Sequence, residues 1–238
     1  LKLRTAPRVS STTPASPAGG LGPLSDFVPA MAPKLYMTYV SQPARAVAWA
    51  CYAEGTEFEE VNTVPFQDTR VDKYRGANPI GAVPRLEEAD GFVLNESHAI
   101  MCYLGDKHGW TLYPADPRVR ARIHQYMNWH HQNVRRISLA LFIPVLRPDM
   151  ALPRETIDLF KKEIAGPAGT LDSIEQWLST SRWLCGEQPT VADVSCYCEV
   201  GQCLDKFTGL FDVHGISLAP YPRIREWLPG GGENPGFE

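Results

Sequence analysis

From Lys34 the stretch "KLYMTYV" alternates apolar and polar positions, the period of a half-buried strand, and the pattern breaks at Ser41 and Pro43. The following "PARAVAWACYAEG" has helical composition and runs out on Gly55, the residue type that commonly sits just past a helix C-terminus. Alternation returns in "FEEVNTV", "DTRVDKYRGAN" has room for a short helix, and "AVPRLEE" and "GFVLN" read as two strands joined at the turn signal Asp90-Gly91. "ESHAIMCYLGDKHG" closes the unit as a helix with Ile100, Tyr103 and Leu104 on one face. The predicted order over residues 34–108 is βαβαββα, a small α/β domain.

After a proline-bearing linker at 109–116, every strong signal over residues 117–230 is helical. In "RVRARIHQYMNWHHQNVRRISLALF" the positions Val119, Ile123, Met127, Val134, Ile137 and Leu141 recur at roughly helical spacing, which predicts one long helix ended by Pro144. "ETIDLFKKEI", "TLDSIEQWL", "TVADVSCYCEVGQCL" and "YPRIREWL" continue the pattern, and Thr190 with Asp193 has the form of a structural capping box. "IAGPAGTL" at 164–171 puts two glycines and a proline between two of these runs and predicts a break or kink. The expected architecture is an α/β domain followed by an all-α domain, with a short tail at 231–238.

Composition narrows the function. With 238 residues the chain can bury a proper core, and a net charge of −4 with no basic block excludes a nucleic-acid footprint. No apolar run reaches the ~18 to 20 residues that span a bilayer, so no membrane partner is expected. Residues 1–30 are rich in Pro, Ser, Thr and Ala, hold three basic residues and show no apolar period, and read as a disordered leader. Such acid-poor leaders resemble organelle transit peptides, so organelle targeting stays open beside a cytoplasmic location. The six cysteines lie mostly inside apolar helical patterns, as expected for reduced thiols acting as small hydrophobes. Cys196 and Cys198 would point about 200° apart on a helix, so no metal site is expected from them.

Ser41 carries two readings. As an N-cap its oxygen would accept a hydrogen bond from the first helical turn, but position 44 is Ala, so the reciprocal residue of a capping box is absent. The second reading aims its hydroxyl at a substrate. A similar choice applies at "NES": Glu96 and Ser97 suit a helix start, and the free N–H groups there also suit an anion.

"YVSQPARAV", "NPIGAVPRL", "NESHAIMCYL", "YMNWHHQNVRR", "LCGEQPTVADVSCYCEVGQ" and "YPRIREWL" occur in the order and spacing of cytosolic glutathione S-transferases, and the chain resembles the theta class most. The resemblance covers residues 34–228 and implies a thioredoxin-like N-terminal domain with a mixed four-stranded sheet, an all-helical domain shaping the electrophile pocket, and a homodimer. It implies that Ser41 donates a hydrogen bond to the glutathione sulfur. It further implies that Val83 and a cis Pro84 pair with the cysteinyl unit like an added strand, and that Glu96 and Ser97 hold the γ-glutamyl end. Arg135 stands where theta-like enzymes direct an arginine at the sulfur or leaving group, on a helical face with Asn128 and His131. Arg45 could add positive potential or bridge the two domains. Ala82 occupies a position that is usually Lys in that pattern, and Arg70 one that is usually His, so the glycyl carboxylate would rely on Arg70, with Lys73 a weaker candidate.

The expected activity is conjugation of glutathione, as co-substrate and without a metal, to small hydrophobic electrophiles in detoxification, with peroxidase activity toward organic hydroperoxides. A thiol of pKa ~8.5 is about 3% ionised at pH 7, so a drop of two units gains at most about thirtyfold in thiolate. Lost nucleophilicity returns roughly tenfold of that. Most of the acceleration must therefore come from holding thiolate and electrophile together in a pocket. Two rivals remain at this stage: a non-catalytic scaffold or ligand carrier of the same fold, and a glutathione-dependent isomerase or dehalogenase.

Overall fold

The structure is a computed structural model that describes residues 32–228; the expected leader (1–30) and tail (231–238) lie outside the described residues. Strand β1 (Lys34–Met37) sends Leu35 and Met37 fully into the core. It pairs in parallel with β2 (Glu59–Asn62) and antiparallel with β3 (Arg85–Glu87), which pairs antiparallel with β4 (Val93–Asn95). The strand order β2-β1-β3-β4 is the mixed four-stranded sheet of a thioredoxin-like domain. Between β3 and β4 the Glu88 N–H donates to Phe92 O at 2.8 Å, and Gly91 takes a positive φ of 90° that suits glycine.

Helix α1 (Gln42–Ala53) buries Ala44, Ala46, Val47, Ala48, Ala50 and Cys51, and these small side chains let it lie between the sheet and the helical lobe. The short α2 (Asp72–Ala77) precedes β3, and α3 (Ser97–His108) follows β4 with Ile100, Met101 and Leu104 buried. Tyr103, expected on the same face, is partly buried and donates its hydroxyl to Glu88 at 3.0 Å. The linker is tied back to α1, because Glu54 Oε1 accepts from Thr111 Oγ1 at 2.8 Å and from Leu112 N at 2.6 Å.

The long helix expected to end at Pro144 is instead divided. Asp116 caps α4 (Pro117–Gln132), accepting from the N–H groups of Arg118 and Val119, and the helix stops at a turn where Asn133 donates its backbone and side-chain N–H groups to Trp129 O. Helical winding resumes in α5 (Arg135–Ile137), widens through a π turn at Ser138–Phe142, and continues in α6 (Ile143–Leu146). Pro144 sits in the first turn of α6, where its missing N–H is tolerated, and the run ends at Arg147, driven out of helical geometry by the following Pro148.

The expected break at 164–171 is present. Helix α7 (Arg154–Ala165) stops before Gly166, and α8 (Thr170–Thr180) starts after Gly169. A Cβ on Gly166 would clash with Lys162 O and one on Gly169 would lie 2.5 Å from Glu163 O, so the corner closes too tightly for side chains there. Helix α9 (Val191–Val200) packs against α1 and joins the lobes, and α10 (Leu210–Val213) and α11 (Pro222–Trp227) follow it among the described residues. Asp193 exceeds its capping role: besides Thr190 it accepts from Leu184 N at 2.9 Å and Trp227 Nε1 at 3.1 Å, fastening three segments to one buried carboxyl. Burial pushes that carboxyl up to about 6 against these four donors. Among the described residues, no helix is long and apolar enough to cross a membrane.

Candidate active site

Ser41 closes the turn that follows β1. Its N–H donates to Thr38 O at 3.0 Å, its C=O accepts the first helical bond of α1 from Arg45 N at 2.9 Å, and its side chain makes no capping bond. Pro43 removes one of the two amides a cap can use, and the hydroxyl makes no bond to the other, that of Ala44. The half-buried hydroxyl is therefore not spent on the helix. Arg45 clasps the same turn and bridges the lobes, donating through Nη1 to Tyr39 O at 2.6 Å and Val40 O at 3.2 Å, and through Nη2 to Cys198 O and Gln202 Oε1, each at 3.2 Å.

The Val83-Pro84 bond is cis. Its approach is held by Tyr74 Oη and Asn78 Nδ2, which donate to Ala82 O at 2.6 and 2.8 Å. Its exit is held by Arg85, whose guanidinium stacks 3.7 Å over the Tyr36 ring and pairs with Glu87. Glu96 caps α3 in a left-handed conformation with φ 71° and ψ 117°. That geometry costs a non-glycine residue on the order of 1 to 3 kcal/mol and points toward a functional site. Glu96 is exposed and its carboxylate makes no capping bond, while Ser97 is buried behind it.

Val83, Pro84, Glu96, Ser97 and Arg135 share one polar cavity of about 180 Å³ between the lobes, with Gln42 and Glu199 in its wall. Ser41 adjoins this wall through Gln42. On the other side of Ser41, Tyr39 lines a separate apolar cavity of about 560 Å³ with Trp49, Tyr52, Phe142, Tyr197 and Phe207. Ser41 itself lines neither cavity; its chain neighbour Gln42 lines the polar one and Tyr39, two residues before it, the apolar one. Arg70 does not line the polar cavity; it is exposed, with its guanidinium 5.7 Å over the Phe66 ring, and Lys73 is exposed on α2.

Arg135 lies beyond the break in the expected helix, so it does not share one continuous helical face with Asn128 and His131. Asn128 bonds its own helix at His124 O, while His131 lines the cavity. Arg135 Nη1 donates to Glu199 Oε1 at 2.8 Å and to Gln42 Oε1 at 3.1 Å. Gln42, Glu199, His98 and Ser195 escaped sequence reasoning. Glu199 had left a signal, a carboxylate inside the otherwise apolar "CYCEVG" run, whereas Gln42 reads as an ordinary first helical residue.

His98 shares a hydrogen bond of 2.7 Å between Nε2 and Ser195 Oγ, and burial pushes its imidazole down to about 3. Burial holds His130 well below the ordinary histidine value too, so both are neutral wall groups. The chain's own thiols are poor nucleophiles: burial pushes Cys51, Cys185, Cys198 and Cys203 up to about 12. Among the described residues, no group of three or more His, Cys, Asp or Glu side chains could hold a metal ion.

Residues 35–114 match the family model described as "Glutathione S-transferase, N-terminal domain". The chain is 35% identical over 210 residues to glutathione S-transferase T1 of Arabidopsis thaliana, covering 82% of this chain and 81% of that protein. It also matches the T3 and T2 proteins of the same plant, of whose length it spans about a third (34%). Among solved structures, it superposes on a Pseudomonas fluorescens glutathione S-transferase with TM-score 0.68 at 28% identity, covering 82% of this chain and 92% of that one. Human glutathione transferase theta-2, in complex with glutathione and an unknown ligand, gives TM-score 0.63 at 28% identity, covering 82% and 79%.

Proposed function

The chain belongs to the glutathione S-transferase family, and from that premise we propose that it transfers the glutathione thiolate to small hydrophobic electrophiles. One arrangement carries this reading: Gln42 and Tyr39, on either side of Ser41 in the chain, line respectively a polar cavity that suits a zwitterionic tripeptide and an apolar cavity that suits its reaction partner. The start of α3 at Ser97 offers N–H groups and a positive dipole end to the γ-glutamyl carboxylate, and Glu96 offers a counter-charge to the neighbouring ammonium. Val83 lies just outside β3, which begins at Arg85, so its peptide groups suit an added strand from the cysteinyl unit. Arg70 and Lys73, expected to hold the glycyl carboxylate, do not line the cavity, so that end is assigned no residue.

The reactive sulfur comes from the ligand, since the buried cysteines are held as thiols. The glutathione S–H gives its proton to solvent, and Ser41 donates its hydroxyl hydrogen bond to the resulting thiolate, which stabilises the charged form. Sulfur then forms a bond to the electrophilic carbon as the leaving group departs with its electron pair. Arg135 assists where that negative charge develops. The apolar cavity holds the electrophile at the sulfur; with an organic hydroperoxide the sulfur attacks the distal oxygen, releasing the alcohol, and a second glutathione thiol then releases water and yields the disulfide. A cytoplasmic homodimer acting in detoxification completes the proposal.

Calorimetric titration with glutathione, followed by a conjugation assay over halides, epoxides and hydroperoxides, tests the reading. Binding without turnover on any substrate would favour a second reading, a non-catalytic ligand carrier, which the placement of Arg70 away from the cavity and Ala82 in its wall support.

A further inference from the structure

Four side chains from both lobes close a ring of hydrogen bonds behind Ser41. Arg135 Nη1 donates to Glu199 Oε1 at 2.8 Å and to Gln42 Oε1 at 3.1 Å, Gln42 Nε2 donates to Ser138 Oγ, and Ser138 Oγ donates to Glu199 Oε2. Gln202 Nε2 also donates to Ser138 Oγ, at 2.8 Å, and Gln202 Oε1 accepts from Arg45, whose other nitrogen holds the carbonyls of Tyr39 and Val40. The segment around Ser41 is thereby gripped on both sides, by Gln42 after it and by Arg45 across its preceding carbonyls. The Ser138 hydroxyl is saturated, accepting two N–H groups and donating its one hydrogen. The ring holds a single carboxylate, Glu199, which is 1% exposed at the bottom of the cavity wall.

We infer that Glu199 is a positioning residue of the transferase site: its two carboxylate oxygens fix Arg135 and, through Ser138 and Gln42, the corner that aims the Ser41 hydroxyl. This rests on the proposed thiolate role of Ser41 and Arg135. A carboxylate is required because both oxygens must accept. In Glu199→Gln the amide oxygen can still take Arg135, but the amide N–H then meets Ser138 Oγ, whose acceptor sites are already occupied and whose hydrogen loses its only acceptor. The ring opens at the link that leads to Ser41. Glu96 and Ser97, proposed for glutathione's γ-glutamyl end, line the same cavity but take no part in the ring, so that contact is left in place.

The test uses the full chain with Glu199→Gln, and with Ser138→Ala, which keeps the Glu199–Arg135 pair and serves if the first variant folds poorly. Hydrogen exchange without ligand reads the corner, and pH–rate profiles read the chemistry. In Glu199→Gln the amides of Ser41, Gln42, Ala44 and Arg45 should exchange about tenfold or more faster, with α8 and α11 unchanged. Because the effect acts through the Ser41 hydrogen bond, kcat at pH 7 should fall by up to about threefold, the deficit that loss of that bond costs through ionisation, with the KM for glutathione unchanged. The acid limb should move to higher pH, and a Ser41→Ala background should absorb most of the effect. Ser138→Ala should loosen the same four amides and move the limb the same way. Unchanged exchange and kcat, or exchange that rises equally in α8 and α11, would reduce Glu199 to a structural residue. An acid limb moving to lower pH would mean that Glu199 damps the charge of Arg135, and would overturn the inference. If the wild-type chain transfers no thiol, the transferase reading falls, and the exchange arm alone decides whether Glu199 orders the corner.

Discussion

Removing the Ser41 hydroxyl separates its two readings, because the structure predicts opposite consequences for each. A serine that caps a helix costs about 1 kcal/mol when changed to alanine. Here the side chain makes no capping bond, so Ser41→Ala should shift the unfolding free energy by under about 0.5 kcal/mol. The effect on the ligand should be much larger. A hydrogen bond to a charged acceptor is worth about 1.5 to 3 kcal/mol, or roughly one to two pKa units on the thiol. With two units, a bound thiol of pKa ~6.5 is about 76% ionised at pH 7, and returning it to ~8.5 leaves about 3%, a loss of about twenty-five-fold in thiolate. The more basic thiolate reacts roughly eightfold faster, so ionisation alone leaves a deficit of about threefold at pH 7. That deficit should vanish and even reverse above pH 9, where both enzymes are ionised. The assay is the pH–rate profile of a halide substrate at saturating glutathione, alongside urea unfolding. An acid limb that stays in place, or an undiminished deficit at high pH, would refute the thiolate role. A stability loss near 1 kcal/mol would restore the cap.

Changing Glu96 to Gln should weaken glutathione binding by about tenfold, the ~1.4 kcal/mol of one charge-assisted contact, with kcat at saturation preserved; calorimetry and kinetics together check this split. Asp193→Ala should cost about 3 kcal/mol or more in urea unfolding, since it strands the donors of Leu184, Thr190 and Trp227 in the core. Gly105→Ala should destabilise by about 1 to 3 kcal/mol, because the new methyl would lie 2.6 Å from Tyr113 Cβ. His98 contributes an acid sensitivity. Its folded-state pKa, about 3, lies below the unfolded value, so its stabilisation is present above pH 6.5 and is lost as pH falls toward 3. Between pH 7 and pH 5 that loss should be about 2 kcal/mol, and His98→Asn should flatten the stability–pH curve over this interval.

The strands, the Asp90-Gly91 hairpin, the break at 164–171 and the Thr190–Asp193 cap were legible because each is written in local periodicity or turn chemistry. The division of the long helix was not. The apolar spacing from Val119 to Leu141 tolerates a short interruption, and Asn133 turns the chain by using side-chain and backbone bonds that leave no mark in the pattern. Pro144 misled for a related reason: proline punctuates a helix interior but is accepted in a first turn, and the π turn before it supplies a new start. At the site, Val83, Pro84, Glu96, Ser97 and Arg135 could be named because they lie in motifs that resemble a family. Their shared cavity is a tertiary fact. Gln42, Ser138 and Glu199 come from three segments up to 157 positions apart, so no local reading could have joined them into one ring. Arg70 lies outside the cavity lining, over the ring of Phe66, whose positive φ of 67° has no sequence signature.

The most direct test is a spectroscopic titration of the glutathione thiol bound to the wild-type protein, following thiolate absorbance with pH in the absence of any electrophile. A Ser41 hydroxyl that donates to the bound sulfur predicts a bound-thiol pKa about one to two units below the free value of ~8.5. A bound thiol that titrates at the free value, or glutathione that does not bind, would contradict it.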